Sequence, residues 1–225
     1  MAPYKRHDLV WLSEAGKAHA LSNVQNCVPP VKDDEIRALI FSVPPIPAIV
    51  RRQEAAEEGL LCIGFSSPKI IDGIRLRIGS RVPPDCIVRL QTPFDVAKSV
   101  KAQLPDCGLL NELIDAGLRH NTEVGVFGSA ALQLVTGLPY MRENSDMDIY
   151  LRCHGTRQDL TLFFGQLLKY EEKSGISIDA EIEWPGQYGV KLKELFGPGK
   201  TVLGKGLYDV AILEKPKEGS SNYAN

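Results

Sequence analysis

Two short motifs in the middle of the chain contain residue types that bind phosphate and divalent cations. Gly128-Ser129 is followed, sixteen residues after Ser129, by Ser145 and then by Asp146 and Asp148. On a β-strand, side chains two residues apart project from the same face, so both carboxylates can reach one ion. Carboxylate oxygens suit Mg²⁺, which proteins hold with one or two carboxylates and substrate phosphates. The pattern therefore predicts a site for Mg²⁺ and a polyphosphate.

The predicted local structure places the two motifs side by side. A strand over 123–127 leads into the Gly-Ser turn, a short helix follows over 130–137, and 147–153 forms the strand that carries the carboxylates. Glycine lets the backbone approach a phosphate closely, and the free N–H groups of a helix start face that anion. Alone, an Asp-x-Asp is often a solvated strand face, and a Gly-Ser is often only a helix cap. Together, in this order, they are typical of nucleotidyltransferases.

A neighbouring strand is expected to supply a third carboxylate. Residues 176–184 alternate, with Ile178, Ala180 and Ile182 on one face and the acidic residues on the other. Asp179 and Glu181 are the candidates to complete a metal shell or to accept a proton from an incoming hydroxyl. Any half-exposed sheet also has charges on its outer face, so the sequence leaves the choice between them open.

A polyphosphate substrate also requires cations. Arg142 precedes the Asp-x-Asp strand, and its guanidinium fork matches phosphate oxygens. Ser145 either orients the carboxylates or makes the turn. Arg51 and Arg52 end a predicted strand and are candidates for phosphate binding, although such pairs usually face solvent. Lys193 and Lys205 are further candidates to line the cleft, and Arg75, Arg77, Arg81 and Arg89 are candidates for a basic face that steers an acidic partner. For all six, an ordinary surface position is the simpler interpretation.

Composition and patterning predict an α/β (α+β) protein. Residues 1–92 form a small β-rich subdomain, 93–214 a mixed sheet of the nucleotidyltransferase type with flanking helices, and 215–225 a disordered tail. A net charge of -2 argues against nonspecific nucleic-acid binding. No apolar run reaches the roughly 18–20 residues that span a membrane, and we expect no membrane association and a cytoplasmic location. Reduced thiols are expected for the scattered Cys27, Cys62, Cys86, Cys107 and Cys153.

Residues 128–142 and 145–149 resemble the phosphoribosyl-dephospho-CoA transferases, the holo-acyl-carrier-protein synthases of malonate decarboxylase. Residues 6–12, 47–52 and 64–68 are similar to that family as well. The resemblance implies Mg²⁺ as cofactor, triphosphoribosyl-dephospho-CoA as substrate and the acyl carrier protein of malonate decarboxylase as partner. A carrier serine would attack the α-phosphorus and pyrophosphate would leave. Within such a family, Arg51 and Arg52 would bind CoA-type phosphates or the acidic carrier.

Other functions remain open at this point. The same site would also serve a general nucleotidyltransferase, such as one that transfers AMP to a small-molecule or protein hydroxyl. A pseudoenzyme that binds a nucleotide or a carrier protein without chemistry is a third possibility. The sequence does not separate a malonate decarboxylase carrier from a citrate lyase carrier, and it does not give the oligomeric state.

Overall fold

The fold is mixed α/β, which confirms the predicted class. The computed structural model describes residues 4–53, 59–103, 108–142 and 145–216. These residues fall into two compact units, one drawn from 1–92 and 132–140 and the other from 93–131 and 141–225. Each unit contains one six-stranded sheet. None of the helices among the described residues is long and apolar enough to cross a membrane.

The first unit is an antiparallel sheet with two helices. Its strands run in the order β2-β5-β4-β3-β1-β6. The two long strands, β4 and β5, bury alternating apolar side chains, as a sheet with one face on a core requires. The elements are β1 (Leu9–Leu12), α1 (Glu14–Ser22), β2 (Val24–Val28), α2 (Asp33–Ile40), β3 (Ala48–Val50), β4 (Leu61–Ile71), β5 (Ile74–Val82) and β6 (Ile87–Gln91).

The second unit carries both sequence motifs. Its strands run in the order β12-β11-β10-β9-β8-β7, and β8 and β9 are parallel whereas the other pairs are antiparallel. The elements are α3 (Pro93–Gln103), α4 (Gly108–Arg119), β7 (Thr122–Val126), α5 (Gly128–Thr136), β8 (Met147–Cys153), α6 (Arg157–Ser174), β9 (Ile178–Trp184), β10 (Tyr188–Lys191), α7 (Leu192–Phe196), β11 (Thr201–Lys205) and β12 (Val210–Glu214).

The two faces of the second sheet differ in character. Helix α6 connects β8 to β9, as a parallel pair requires, and Thr156 and Asp159 form a capping box at its start. Its apolar side packs on one face of the sheet and makes the core of this unit. The buried residues of that core include Ile149, Leu151, Ile178, Ala180, Ile182, Leu160, Phe163 and Leu167. The alternate residues of the same strands therefore lie on the opposite face, where the carboxylates are.

Several elements differ from the sequence-based predictions. The sequence suggests a helix over 190–196, but strand β10 occupies 188–191 and the helix begins only at Leu192. The glycines at 204 and 206 suggest a turn, whereas 204 and 205 belong to the end of strand β11. Helix α1 and strand β2 were not predicted, because the short α1 has little amphipathic pattern. Pairing continues past β12, since the Lys215 N–H donates to the Lys200 carbonyl at 2.8 Å. The rest of the predicted tail, from 217 on, and Cys107 lie outside the described residues.

The segment 132–140, which follows the Gly-Ser motif along the chain, belongs to the first unit. Tyr140 is fully buried there, and its hydroxyl donates to the Ser66 carbonyl at 2.8 Å. Arg75 donates to the Tyr140 carbonyl at 2.7 Å and to the Ser67 carbonyl at 3.0 Å. Segment 132–140 is therefore held against the β4–β5 pair within the first unit.

This attachment gives a prediction for stability. Tyr140→Phe should lower the free energy of unfolding by about 1–2 kcal/mol, because the buried Ser66 carbonyl loses its donor. Urea denaturation followed by circular dichroism measures the change. Tyr208→Phe is the control, since the Tyr208 ring is 66% exposed. Equal stability of the Tyr140→Phe and wild-type proteins would contradict this account of the segment.

Candidate active site

The parallel pairing of β8 and β9 brings the predicted carboxylates together. Asp148 is paired in register with Asp179, and Tyr150 with Glu181. Because side chains alternate along a strand, Asp148, Asp179 and Glu181 lie on the face away from the apolar core. Asp146 is exposed and lies one residue before β8 begins. All four predicted acidic residues thus belong to one part of the sheet, which we call the carboxylate row.

The Gly-Ser motif lies against this row. Gly128 begins α5 with a φ of 65°, a backbone conformation that residues other than glycine rarely adopt. A Cβ atom at this position would overlap the Asp148 carboxylate. The Phe127 N–H donates to the Asp148 carbonyl at 3.1 Å. Glycine is therefore required so that the first turn of α5, with Ser129, can lie beside Asp148.

Asp148 occupies an electrostatically unfavourable position in the row. Burial, together with the nearby charges of Asp179, Asp146 and Glu181, raises the pKa of its carboxyl to about 6, although Lys191 acts to lower it. Partial burial among like charges disfavours the ionised form. A bound cation would relieve this repulsion, so the row is suited to hold one.

Two lysines neutralise part of the row. Lys191 Nζ lies 2.8 Å from Asp179 Oδ2, and this hydrogen bond raises the pKa of Lys191. Lys205 Nζ lies 3.6 Å from Glu181 Oε1, whose side chain is 5% exposed. Lys191 was missed from the sequence because its position opposite Glu181 depends on the short strand β10. If a strand at 188–191 had been predicted, its pairing with β9 would have placed Lys191 opposite Glu181.

Arg152 lies on β8, on the same face of the sheet as Asp148 and Tyr150. Its Nε lies 2.6 Å from Glu183 Oε2, and its NH1 lies 2.9 Å from Glu123 Oε2. The guanidinium also lies over the Phe94 ring, 4.2 Å from the centroid. These contacts hold β7, β8 and β9 together. They also commit Glu183 to a structural ion pair, which leaves Asp179 and Glu181 as the third-carboxylate candidates.

The donor set fits a metal ion that is shared with a substrate. Within the described ranges, no three His, Cys, Asp or Glu side chains are arranged to hold an ion by themselves. Mg²⁺ usually binds through one or two carboxylates together with substrate phosphates, and seldom in an all-protein cage. Asp148, beside the start of α5, and the neighbouring Asp146 provide that kind of incomplete shell. They are the residues that would hold Mg²⁺.

The remaining candidates are placed less centrally. The Arg142 side chain is exposed. The Arg142 N–H donates to Ser145 Oγ at 2.9 Å, and the Ser145 N–H donates to the Arg142 carbonyl at 3.0 Å. Ser145 therefore closes the turn before the strand. Lys193 pairs with Glu171 of α6 at 2.6 Å, so it is committed to that helix.

Arg51 and Arg52 belong to the first unit and are not members of the carboxylate row. The Arg51 side chain lies over Gly64 and Gly79, where a Cβ would clash with it. Arg52 is exposed in the loop after β3. Their assignment as phosphate-binding residues therefore stays a prediction that rests on sequence resemblance.

Comparison with known proteins covers nearly the whole chain. Residues 95–216 match the family model described as the phosphoribosyl-dephospho-CoA transferase MdcG C-terminal domain. Residues 5–93 match the corresponding MdcG N-terminal domain. The carboxylate row and the Gly-Ser motif both fall within the C-terminal match. No solved structure matches the chain.

Individual relatives carry the same description. A phosphoribosyl-dephospho-CoA transferase of Xanthomonas euvesicatoria pv. vesicatoria is 28% identical over 212 residues, which are 93% of this chain and 94% of that protein. The protein of that name from Bradyrhizobium diazoefficiens is 26% identical over 218 residues, 95% of this chain and 91% of the relative. One from Pseudomonas fluorescens is 26% identical over 182 residues, 76% and 79% of the two chains.

The raised pKa of Asp148 gives a prediction for stability against pH. The folded protein binds the Asp148 proton more tightly than the unfolded chain, so this contribution is complete below about pH 4 and is lost as the pH rises through 6. At pH 7.5 the ionised carboxyl costs about 3 kcal/mol without metal. Asp148→Asn should therefore raise the free energy of unfolding in EDTA at pH 7.5 by about 1–3 kcal/mol.

Urea denaturation at pH 4.5 and pH 7.5 measures this difference, which should be smaller at the lower pH. Asp72→Asn, in the exposed turn between β4 and β5, is the control. A variant at Asp148 that is less stable than wild type at pH 7.5 would show that the carboxylate is not under repulsion.

Proposed function

We propose a specific transfer reaction for this chain, which belongs to the phosphoribosyl-dephospho-CoA transferase family. It is a Mg²⁺-dependent enzyme of the nucleotidyltransferase type and acts in the cytoplasm. It moves the phosphoribosyl-dephospho-CoA group from triphosphoribosyl-dephospho-CoA to a serine of the malonate decarboxylase acyl carrier protein. The observation that supports this chemistry is the placement of Asp148 against the glycine-started helix α5, with the Asp146 carboxylate close enough to act on its charge.

The start of α5 is the phosphate-binding element. The backbone N–H groups at Gly128 and Ser129 open the helix, where unpaired donors and the helix dipole favour an anion. Gly128 also permits the close approach between this helix and Asp148. Asp146 and Asp148 would hold Mg²⁺ against the same phosphates. When bound, that ion neutralises the triphosphate and the charge that develops on the pyrophosphate as it leaves.

Asp179 is better placed than Glu181 to accept the proton of the serine hydroxyl. The Asp179 side chain is 34% exposed and lies opposite Asp148, whereas the Glu181 side chain is 5% exposed. The serine oxygen forms a bond to the α-phosphorus, and the bond from that phosphorus to the pyrophosphate oxygen breaks. The hydroxyl proton passes to Asp179. The product is a phosphodiester that joins the prosthetic group to the carrier.

The experiment measures the intact mass of an apo acyl carrier protein of malonate decarboxylase. The carrier is incubated with this enzyme, triphosphoribosyl-dephospho-CoA and Mg²⁺. We expect a mass gain equal to the prosthetic group, which EDTA abolishes. Asp148→Asn should reduce the rate at least about 10³-fold, because a ligand and an electrostatic contact are both lost. Its predicted higher stability separates this loss from unfolding.

Two parallel reactions decide between related functions. One contains ATP instead of triphosphoribosyl-dephospho-CoA, and the other contains the citrate lyase carrier. Transfer of AMP with ATP alone would replace the proposal by a general nucleotidyltransferase. Faster modification of the citrate lyase carrier would change the partner and keep the reaction. Folded enzyme that modifies neither carrier under any condition would contradict the proposal and favour a binding protein without catalysis.

A further inference from the structure

Lys191 is the cation that contacts Asp179 in the carboxylate row. It ends strand β10, where it is paired in register with Glu181, and its ammonium reaches diagonally to Asp179 Oδ2 at 2.8 Å. Asp179 in turn lies opposite Asp148 on the neighbouring strand. The ammonium is therefore one strand away from the carboxylate that adjoins the start of α5.

The charges of the row are unevenly compensated. Lys205 lies beside the buried Glu181, at 3.6 Å, and Lys191 lies beside Asp179. Among the residues that the structure describes, none forms an ion pair with Asp148, and Lys191 is the cation that lowers its pKa. Lys191 thus contacts Asp179 directly and acts on Asp148 through its charge, without touching it.

We propose that Lys191 is a phosphate-binding residue, which the free protein holds against Asp179 and which contacts the pyrophosphate portion of the substrate when the polyphosphate binds. This inference rests on the proposed function, because it takes Asp148 and the start of α5 as the place where the phosphates lie. It assigns to Lys191 a role in the binding and departure of pyrophosphate.

The reach of the side chain supports this assignment. Neighbouring strands are about 4.8 Å apart, so the Lys191 ammonium, held at Asp179 on β9, is about one strand spacing from phosphates that lie beside Asp148 on β8. The Lys191 side chain is 37% exposed, so it is free to move from one partner to another. A lysine ammonium is a compact charge on a flexible stem, which suits such an exchange of partners.

The exchange also frees Asp179. While Lys191 is bound to it, one oxygen of Asp179 is occupied by an ammonium. When Lys191 moves to a phosphate oxygen, that carboxylate becomes available to a cation or to the hydroxyl proton of the acceptor. The free protein should therefore bind a divalent cation more weakly than it would without Lys191, whereas it should bind pyrophosphate more tightly because of Lys191.

The test compares Lys191→Met with Lys193→Met in the full-length protein. Lys193→Met is a matched control, because it removes the same charge two residues away along the chain. Lys193 pairs with Glu171 of α6 and not with the carboxylate row. Mn²⁺ binding without phosphate is measured by electron paramagnetic resonance, and pyrophosphate binding in the presence of Mg²⁺ by calorimetry. For Lys191→Met we expect Mn²⁺ affinity to rise about 3- to 10-fold and pyrophosphate affinity to fall at least about 10-fold. Lys191→Arg should keep most of the pyrophosphate affinity.

The outcomes separate this inference from the proposed function. If wild type binds Mn²⁺ and modifies the carrier, but Lys191→Met has the same two affinities as Lys193→Met, then Lys191 is only a structural ion-pair partner and the inference is wrong. A fall in both the Mn²⁺ affinity and the pyrophosphate affinity of Lys191→Met would also overturn the inference. Lys191 would then stabilise the carboxylate row and would not compete with the cation for Asp179. A wild-type protein that binds neither Mn²⁺ nor pyrophosphate would overturn the inference and the proposed function together.

Discussion

The repulsion among carboxylates on one face of the second sheet is the constraint on which the site depends. Asp148 is partly buried, next to Asp146, Asp179 and Glu181, and its pKa is raised to about 6 as a result. Such a cluster weakens the fold, and it persists because other contacts of the sheet compensate for it. The same repulsion becomes an attraction for any cation that enters, so the instability of the free site and its proposed affinity have one cause.

The surrounding structure holds these charges in place. The parallel register of β8 and β9 sets Asp148 opposite Asp179, and the apolar side of α6 fixes that register from the other face. Arg152 ties β7, β8 and β9 together beside the row. A site that acts on phosphates needs this rigidity, because electrostatic stabilisation depends on charges that are positioned before the substrate arrives.

The parts of the site that are local in sequence were predictable, as was the acidic strand 176–184, whereas the cation that reaches this face through the register of a short strand was not. Gly128, Asp146 and Asp148 belong to motifs with recognisable spacing, and β8 was predicted with its observed bounds. Lys191 lies on β10, a four-residue strand whose sequence merges into the following helix. Its contact with Asp179 arises from pairing between strands, which no periodicity within one segment reveals. Strand β11, which is also short, was not predicted for the same reason.

The central claim is that the face carrying Asp146 and Asp148 binds a divalent cation and a polyphosphate together. Crystals of the protein grown with Mn²⁺ and a non-hydrolysable triphosphate test this most directly, through anomalous diffraction at the manganese edge. The account predicts an anomalous peak between the carboxylates of Asp146 and Asp148, with phosphate oxygens completing the shell and the phosphates at the start of α5. A manganese peak away from both carboxylates, with the triphosphate bound elsewhere, would contradict it.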